Sequence, residues 1–256
     1  MSLFLPSSSS SSFSFSSRPT ASRRQVLGWL AALAGTAGSL PGMAATGSSS
    51  PSSLPQSADL LYQVSWGPLT LDAEQHWRLD GKRYTLSTEL KLPLAFKNRR
   101  YVSHGTVGEA GLVPELYEDL EVGDPKPRNV AQFDRAAGLL HYGRLDKLKT
   151  AALEPGMQDM NVLSFQLAFL GLQAVGKPMP VTNGKSVVQH RFSQAVATPV
   201  QVNGKSVETV RLQSTAVDGD IEVWLAPSLG NLPVTVVRGQ DGKSLRFVAS
   251  SISFKP

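Results

Sequence analysis

The stretch Asp80-Gly81-Lys82-Arg83-Tyr84-Thr85-Leu86-Ser87-Thr88-Glu89-Leu90-Lys91-Leu92 places a turn signal directly before a run of alternating polarity. From Tyr84 to Leu92 the even-numbered positions are mostly apolar and the odd-numbered ones are polar. This period of two is typical of a strand with one buried and one solvated face. Antiparallel sheets often face water on one side, whereas parallel sheets are usually buried on both. The stretch therefore predicts a hairpin in an antiparallel sheet.

The same turn chemistry recurs along the chain, each time beside strand-like sequence. Asn-Gly and Asp-Gly suit two-residue type I′ hairpin turns, in which both central residues need positive φ. Two of the copies are identical over five residues, which indicates a reused turn, with an internal repeat as the alternative. About eleven or twelve strands are predicted. The four turns are Asp80-Gly81-Lys82, Asn183-Gly184-Lys185, Asn203-Gly204-Lys205 and Asp241-Gly242-Lys243.

One segment departs from the period of two. Met157–Leu172 carries a broad apolar stripe at helical spacing, after Pro155-Gly156, and so predicts a helix buried on most sides. Asp159 falls in its first turn, where a carboxylate complements the helix dipole; the alternative is that Asp159 contacts a ligand or a lid. The predicted fold class is mainly β: a curved antiparallel sheet or open β-barrel-like meander with one buried helix.

The N-terminal region has the pattern of an export leader. Arg23-Arg24 precede the apolar run Val26–Leu40, which is shorter than the roughly 20 residues of a membrane-spanning helix. Small residues favour cleavage between Ala44 and Ala45. We predict a twin-arginine signal peptide at 1–44, a Ser/Pro-rich linker at 45–58, a β-rich domain at 59–256 and a periplasmic location. The alternatives are a retained membrane anchor and, because Ser7–Ser17 is Ser-rich, an organelle transit peptide.

The charge and the cysteine count exclude several classes of function. The net charge is +5, but Arg18, Arg23 and Arg24 lie in the predicted leader, which leaves 22 basic against 20 acidic residues. A nearly neutral domain without a basic patch predicts no nucleic-acid partner. Cysteine is absent, so thiol nucleophiles, iron–sulfur clusters, c-type haem attachment and disulfides are excluded. The domain must be stabilised by burial of its core.

The sequence matches no common motif of cofactor binding or catalysis. The Gly-Lys-Ser turns lack the upstream glycine of a phosphate-binding loop and precede strands rather than a helix. Gly105, Gly108 and Gly111 do not have the dinucleotide-binding spacing, and there is no G-x-S-x-G nucleophile motif. We therefore predict no catalytic residue and no cofactor.

Titratable and aromatic residues have a structural interpretation as well as a functional one. The histidines lack the spacing of zinc ligands, so no metal site is predicted. The acidic run Glu115–Asp124 indicates solvated charges on neighbouring strands, with a paired-carboxylate site as the alternative. Trp224 is interpreted as a core residue or as part of a cavity wall. The histidines are His76, His104, His141 and His190, and the basic residues near the acidic run are Lys97, Arg99 and Arg100.

Several short blocks, taken in their order and spacing, are similar to the bacterial DUF3108 family, exported proteins of unassigned function. The two strongest are Gly156-Met157-Gln158-Asp159 and Val223–Val234, and the resemblance spans about Asp59 to Phe254. It implies a β-rich envelope protein and implies no catalytic residues. The weaker blocks are Pro114 after Gly111-Leu112, and Phe133-Asp134 followed by Gly138.

These observations favour a non-enzymatic binding or carrier module of the periplasm. A curved sheet beside one apolar helix suits an apolar, lipid-like or envelope-derived ligand, and the candidate ligand or lid contacts are Asp159 and Trp224. The alternatives are an envelope structural or assembly factor that acts through protein contacts, and a hydrolase with dispersed catalytic residues. A transient contact with the export machinery is also expected. The oligomeric state is not predicted.

Overall fold

The computed structural model describes residues 54–256, apart from residues 94–95, 218 and 241–242. Within these ranges the chain forms 18 strands and one α-helix, α1 (Leu163–Leu170), with short 3₁₀ turns at Gly171–Ala174 and Pro227–Leu229. The strands are β1 (Ser57–Trp66), β2 (Leu69–Asp80), β3 (Arg83–Lys91), β4 (Arg99–Gly108), β5 (Gly111–Glu121), β6 (Asn129–Asp134), β7 (Leu139–Arg144), β8 (Lys147–Ala152), β9 (Gln158–Asp159), β10 (Pro178–Thr182), β11 (Val187–Arg191), β12 (Ser193–Ala195), β13 (Val200–Val202), β14 (Lys205–Val207), β15 (Val210–Ala216), β16 (Gly219–Ala226), β17 (Leu232–Gln240) and β18 (Lys243–Lys255).

Thirteen strands form one antiparallel sheet in the order β12-β15-β16-β17-β18-β1-β2-β3-β4-β5-β6-β7-β8. The first and last strands of the domain, β1 and β18, are neighbours at its centre. The sheet is curved and does not close into a barrel, which confirms the predicted mainly β fold class with one helix. The predicted number of strands is too low, in part because β9, β12, β13 and β14 have only two or three residues each and are too short to show a period.

The hairpin turns differ from the prediction in their details. Between Val202 and Lys205, which pair, Asn203 and Gly204 both have positive φ, as a type I′ turn requires. Asp80 instead pairs with Arg83, and only Gly81 of the two residues between them has positive φ, so this turn is not type I′. The Asn183-Gly184 turn is a longer loop between β10 and β11, and Asp241-Gly242 lies outside the described residues.

The helix is shorter than predicted, but it is buried as expected. The prediction began at Met157, whereas Gln158 and Asp159 form β9 and pair with β10, so the chain is extended up to that point. Every residue of α1 from Leu163 to Ala168 is buried. The helix packs against β5, β16 and β17, and because β5 and β17 lie in different halves of the sheet, the sheet curves around it.

The core is centred on an aromatic stack between the sheet and the helix. Trp77 stacks on Tyr84 and on Phe165 of α1, with ring centroids 5.3 and 4.9 Å apart. The Trp77 indole N–H donates to the Pro55 carbonyl at 2.7 Å, and Leu54 is buried in the same core. The predicted linker extended to residue 58, but the folded part already includes Leu54 because that apolar side chain packs in the core. The predicted leader lies outside the described residues.

Candidate functional site

Two adjoining cavities lie on the face of the sheet that packs against α1. The large chamber has a volume of about 590 Å³, and the small chamber has a volume of about 50 Å³. They share Leu90, Tyr101, Arg238 and Leu245. The large chamber is further lined by Trp66, Leu92, Arg99, Tyr117, Asp119, Met160, Asn183 and Lys185, and the small chamber by Tyr62, Gln75, Thr88, Asn161, Ser164, Val236 and Phe247.

The strand register explains why these residues meet. In an antiparallel sheet, directly opposite residues project to the same face. Arg238 of β17 is opposite Leu245 of β18, and Val236 is opposite Phe247. On the other side of the chambers, Leu90 of β3 is opposite Arg99 of β4. The alternating pattern that predicts a buried face therefore also determines which residues line the chambers.

Arg238 is the basic residue common to both chambers. One of its terminal nitrogens donates to the Met160 carbonyl at 2.6 Å, while its buried Nε has no hydrogen-bond partner among the described residues. The side chain is partly buried, and desolvation lowers the pKa of the guanidinium. Two tyrosines of the chamber walls, Tyr62 and Tyr101, have a raised pKa because they are buried, so their phenols stay protonated.

A continuous chain of hydrogen bonds connects the small chamber to the start of α1. The Gln75 amide donates to the Thr88 hydroxyl at 2.8 Å, and that hydroxyl donates to the Asn161 carbonyl oxygen at 2.7 Å. The Asn161 amide donates to Ser103 at 3.1 Å, and the Ser103 hydroxyl donates to Asp159 at 2.7 Å. All five of these side chains are buried. Buried networks of connected hydrogen bonds stiffen the core around them.

Asp159, a predicted ligand or lid contact, is the last residue in this series of hydrogen bonds. Its Oδ1 accepts hydrogen bonds from Ser103 and from the backbone N–H groups of Asn161 and Val162. The residue therefore satisfies donors just before α1, although it lies in β9 and not in the predicted first turn. Its Oδ2 is buried and has no hydrogen-bond partner among the described residues. Burial raises the pKa of the carboxyl to about 6.

Trp224, the second predicted contact, lies on the other face of the sheet. It is opposite Thr235, whereas its neighbour Val223 is opposite Val236 of the small chamber. The indole is buried and belongs to the hydrophobic core cluster. Arg211 and Arg246 lie over its ring at 4.6 and 5.2 Å from the centroid, a cation–π arrangement. A ligand contact at Trp224 stays a prediction, at a place distinct from the chambers.

The acidic run on β5 is distributed over several ion pairs. Asp119 is buried, pairs with Arg99 through one oxygen and accepts a hydrogen bond from Asn129 on the other at 3.2 Å. Glu115 pairs with Arg83 at 3.0 Å and Glu121 with Arg128 at 2.9 Å. These pairs match the interpretation of charges on neighbouring strands, except that Asp119 faces the large chamber rather than solvent.

The four histidines are on different strands and make separate contacts. His76 lies 2.6 Å from Asp59 on the neighbouring strand, and His104 and His141 contact the hydroxyls of Thr85 and Thr150. His190 is buried and contacts Ser214. In the part of the chain that the structure describes, no group of three or more His, Asp or Glu side chains could hold a metal ion.

Arg238 is the site residue that was not identified from the sequence. The signal was present, because Arg238 is in phase with Val236 along β17 and therefore belongs to the buried face. A charged residue at an inward position of an otherwise apolar strand is unusual, since arginine is rarely buried without a partner.

The comparisons with known proteins place the chain in a group without an established function. A model of the DUF3108 family, described as a protein of unknown function, matches residues 61–242. No curated protein matches the chain.

Two solved structures are similar to this one. A β-barrel-like protein of the domain of unknown function DUF1849, from Brucella abortus, shares 11% identity at a TM-score of 0.52, covering 80% of this chain and 100% of that one. A domain described as that of an outer membrane lipoprotein-sorting protein, from Vibrio parahaemolyticus, shares 11% identity and covers 77% of this chain and 85% of that one. The first likeness shows the fold alone, and the TM-score of 0.26 for the second is too low to show a shared fold.

Proposed function

The chain belongs to the DUF3108 family, and from that premise we propose that it is an exported, non-enzymatic binding or carrier module that holds an apolar or envelope-derived ligand in the two chambers. The observation that carries this proposal is the large chamber beside the buried helix. Its volume of about 590 Å³ lies within the range of roughly 300–1,000 Å³ that is usual for ligand sites.

The lining of the chambers supports binding over catalysis. Leu90, Leu92 and Leu245 provide apolar walls, while a few polar groups such as Tyr101 and Arg238 converge between them. This combination of apolar walls and few polar contacts is typical of binding pockets. A hydrolase would need a base close to a nucleophile, but the residues that line the two chambers include no histidine, and the Asp119 carboxylate is already paired with Arg99.

Analysis of the material that co-purifies with the protein tests this proposal. We expect the full chain, isolated from its own host, to carry a bound non-protein species at one per chain in native mass spectrometry. Leu90→Trp should remove this species because the larger side chain fills the space shared by both chambers. Leu148→Trp, at an exposed position of β8, is the matched control and should retain it.

A wild-type protein that carries nothing would contradict the binding proposal. If cross-linking in envelope fractions then captured a defined protein partner, the alternative of a structural or assembly factor would replace it.

Export to the periplasm is the second part of the proposal, and it depends on Arg23-Arg24 and the apolar run that follows. None of the helices in the described residues is long and apolar enough to cross a membrane. A fusion of residues 1–58 to a folded reporter should be exported, and the double change Arg23→Lys with Arg24→Lys should stop its export. The mature protein should begin at Ala45. Equal export of both fusions would contradict the twin-arginine route.

A further inference from the structure

The charges around the large chamber are unequal. It is lined by three basic side chains, Arg99, Lys185 and Arg238, and by the single acidic side chain of Asp119. Arg99 and Asp119 neutralise one another, and both oxygens of Asp119 are engaged. Among the described residues, Lys185 and Arg238 make no ion pair at 4.0 Å or less. The chamber therefore keeps an excess of positive charge.

Arg238 contributes most to this excess, because its guanidinium is partly buried and always carries its charge. Its hydrogen bond to the Met160 carbonyl uses one of five N–H donors. The Asp159 carboxylate attracts the Arg238 guanidinium electrostatically. However, Oδ1 of Asp159 already accepts three hydrogen bonds, and Asp159 does not line either chamber. By contrast Arg211, which is also partly buried, is paired with Glu222 at 2.7 Å.

A buried charge without a partner is costly, whereas a bidentate partner makes it favourable. The guanidinium fork matches the geometry of a carboxylate or a phosphate. Resting on the binding function proposed above, we propose that Arg238 binds the anionic headgroup of an amphiphilic ligand, a carboxylate or a phosphate, whose apolar tail lies against Leu90, Leu92 and Leu245.

Isothermal titration of the full chain with four C16 probes below their micelle concentrations tests this inference. The probes are hexadecanoate, hexadecyl phosphate, hexadecan-1-ol and hexadecyltrimethylammonium, which share one tail and differ in headgroup. We expect at least one of the two anions to bind at least tenfold tighter than the alcohol, and the cation to bind weakest. Tighter binding of the carboxylate or of the phosphate identifies the headgroup class.

Arg238→Gln should abolish the preference for the anion and leave the affinity for hexadecan-1-ol within about threefold of the wild-type value. Arg246→Gln is the matched control, because Arg246 lies over Trp224 on the opposite face of the sheet, and it should keep the full preference. Arg238→Lys, which retains a positive charge, should keep a reduced preference.

The outcomes separate this inference from the proposed function. If no probe binds the wild type saturably, the binding function fails and this inference fails with it. If the alcohol binds as tightly as both anions, or if folded Arg238→Gln keeps the preference, only the role of Arg238 is overturned. If Arg238→Gln loses its native circular dichroism spectrum, the test relies on the wild type and on Arg238→Lys. The inference is then overturned if the wild type shows no preference for an anion, or if Arg238→Lys shows the same preference as the wild type.

Discussion

Asp159 is a fully buried carboxyl group whose ionisation affects the stability of the folded state. Burial raises the pKa of its carboxyl to about 6 from an ordinary value of 3.8, so between these pH values the native protein retains a proton that the unfolded chain releases. The stability that comes from this group is fully present below about pH 4 and is lost as the pH rises towards 6. Two pKa units correspond to about 3 kcal/mol as an order of magnitude.

Asp159→Asn should remove this dependence, because the amide keeps an acceptor oxygen and carries no charge. We expect the free energy of unfolding of the wild type, measured in urea, to fall relative to that of Asp159→Asn by up to about 3 kcal/mol between pH 4 and pH 7. Asp146→Asn is the control: the hydrogen bond and ion pair with Arg144 lower the pKa of Asp146, so the stability from that group is lost only below about pH 4, and the difference between wild type and Asp146→Asn should stay nearly constant from pH 4 to pH 7. A difference between wild type and Asp159→Asn that does not vary with pH would contradict this assignment.

Individual residues show the limits of prediction from sequence. The sequence predicts Asp159 as a candidate from its place at the start of an apolar segment, but its hydrogen bond with Ser103 depends on β4, a strand far away in sequence. Arg238 could have been found from its phase with Val236. The absence of a carboxylate partner for Arg238 could not have been predicted, because ion pairs across strands depend on which strands are neighbours.

At the scale of elements, α1 is held to the β4–β5 hairpin through Gln166. Its carboxamide accepts a hydrogen bond from the Leu112 N–H at 2.7 Å and donates to the Ala110 carbonyl at 3.1 Å. Gly111 lies between those two residues with φ of +107°, and a Cβ there would overlap the Gln166 carboxamide. The hairpin therefore needs glycine both for its backbone conformation and for the close approach of the helix.

Gly111→Ala should destabilise the protein more than Gly123→Ala does. Gly123 also has positive φ, at +89°, but a Cβ there meets open space. The loss of stability in Gly123→Ala therefore measures the cost of the backbone conformation alone. We expect an additional loss of about 1–2 kcal/mol for Gly111→Ala in urea unfolding, since it displaces a side chain that makes two hydrogen bonds. In a Gln166→Ala background the difference between the two alanine variants should shrink. Equal losses in the original background would show that Gln166 does not hold the hairpin.

Phe165 of α1 stacks on Trp77 in the core. We therefore expect this contact to contribute more to the stability of the protein than the exposed side chain of Leu172 just after the helix. Phe165→Ala should lower the free energy of unfolding by about 3–5 kcal/mol, because the truncation leaves a cavity in the core. Leu172→Ala, at an exposed side chain just after the helix, should change it by less than about 0.5 kcal/mol. Similar effects of the two substitutions in thermal or urea unfolding would argue against burial of α1.

Elements with a regular pattern were predictable, and irregular ones were not. The alternation from Tyr84 to Leu92 identifies β3 because one face of that strand is buried. The sequence pattern places Met157–Asp159 in the helix, because apolar spacing alone cannot distinguish a short extended segment from a helical turn. The pairing of β9 with β10, which keeps that segment extended, is a tertiary contact.

At the scale of the whole molecule, the sheet and the helix together produce the chambers. The mainly β class and the buried helix followed from the sequence, but the central pairing of β1 with β18 did not, because a period of two identifies strands and not their neighbours. That pairing brings Tyr62 and Trp66 of β1 beside Phe247 and Leu245 of β18, with Arg238 on the next strand. The candidate site is thus a product of the topology.

Occupation of the large chamber is most directly measured by the fluorescence of Trp66, which lines it. Bromine quenches tryptophan only at short range, so bromohexadecanoate bound in the chamber should quench the full chain saturably. With Trp29 of the predicted leader replaced by Phe in both proteins, Trp66→Phe should lose most of this quenching, because the other two tryptophans, Trp77 and Trp224, are packed in the core. Quenching that persists undiminished in Trp66→Phe, or saturable binding without any quenching of the wild type, would contradict a ligand site in this chamber.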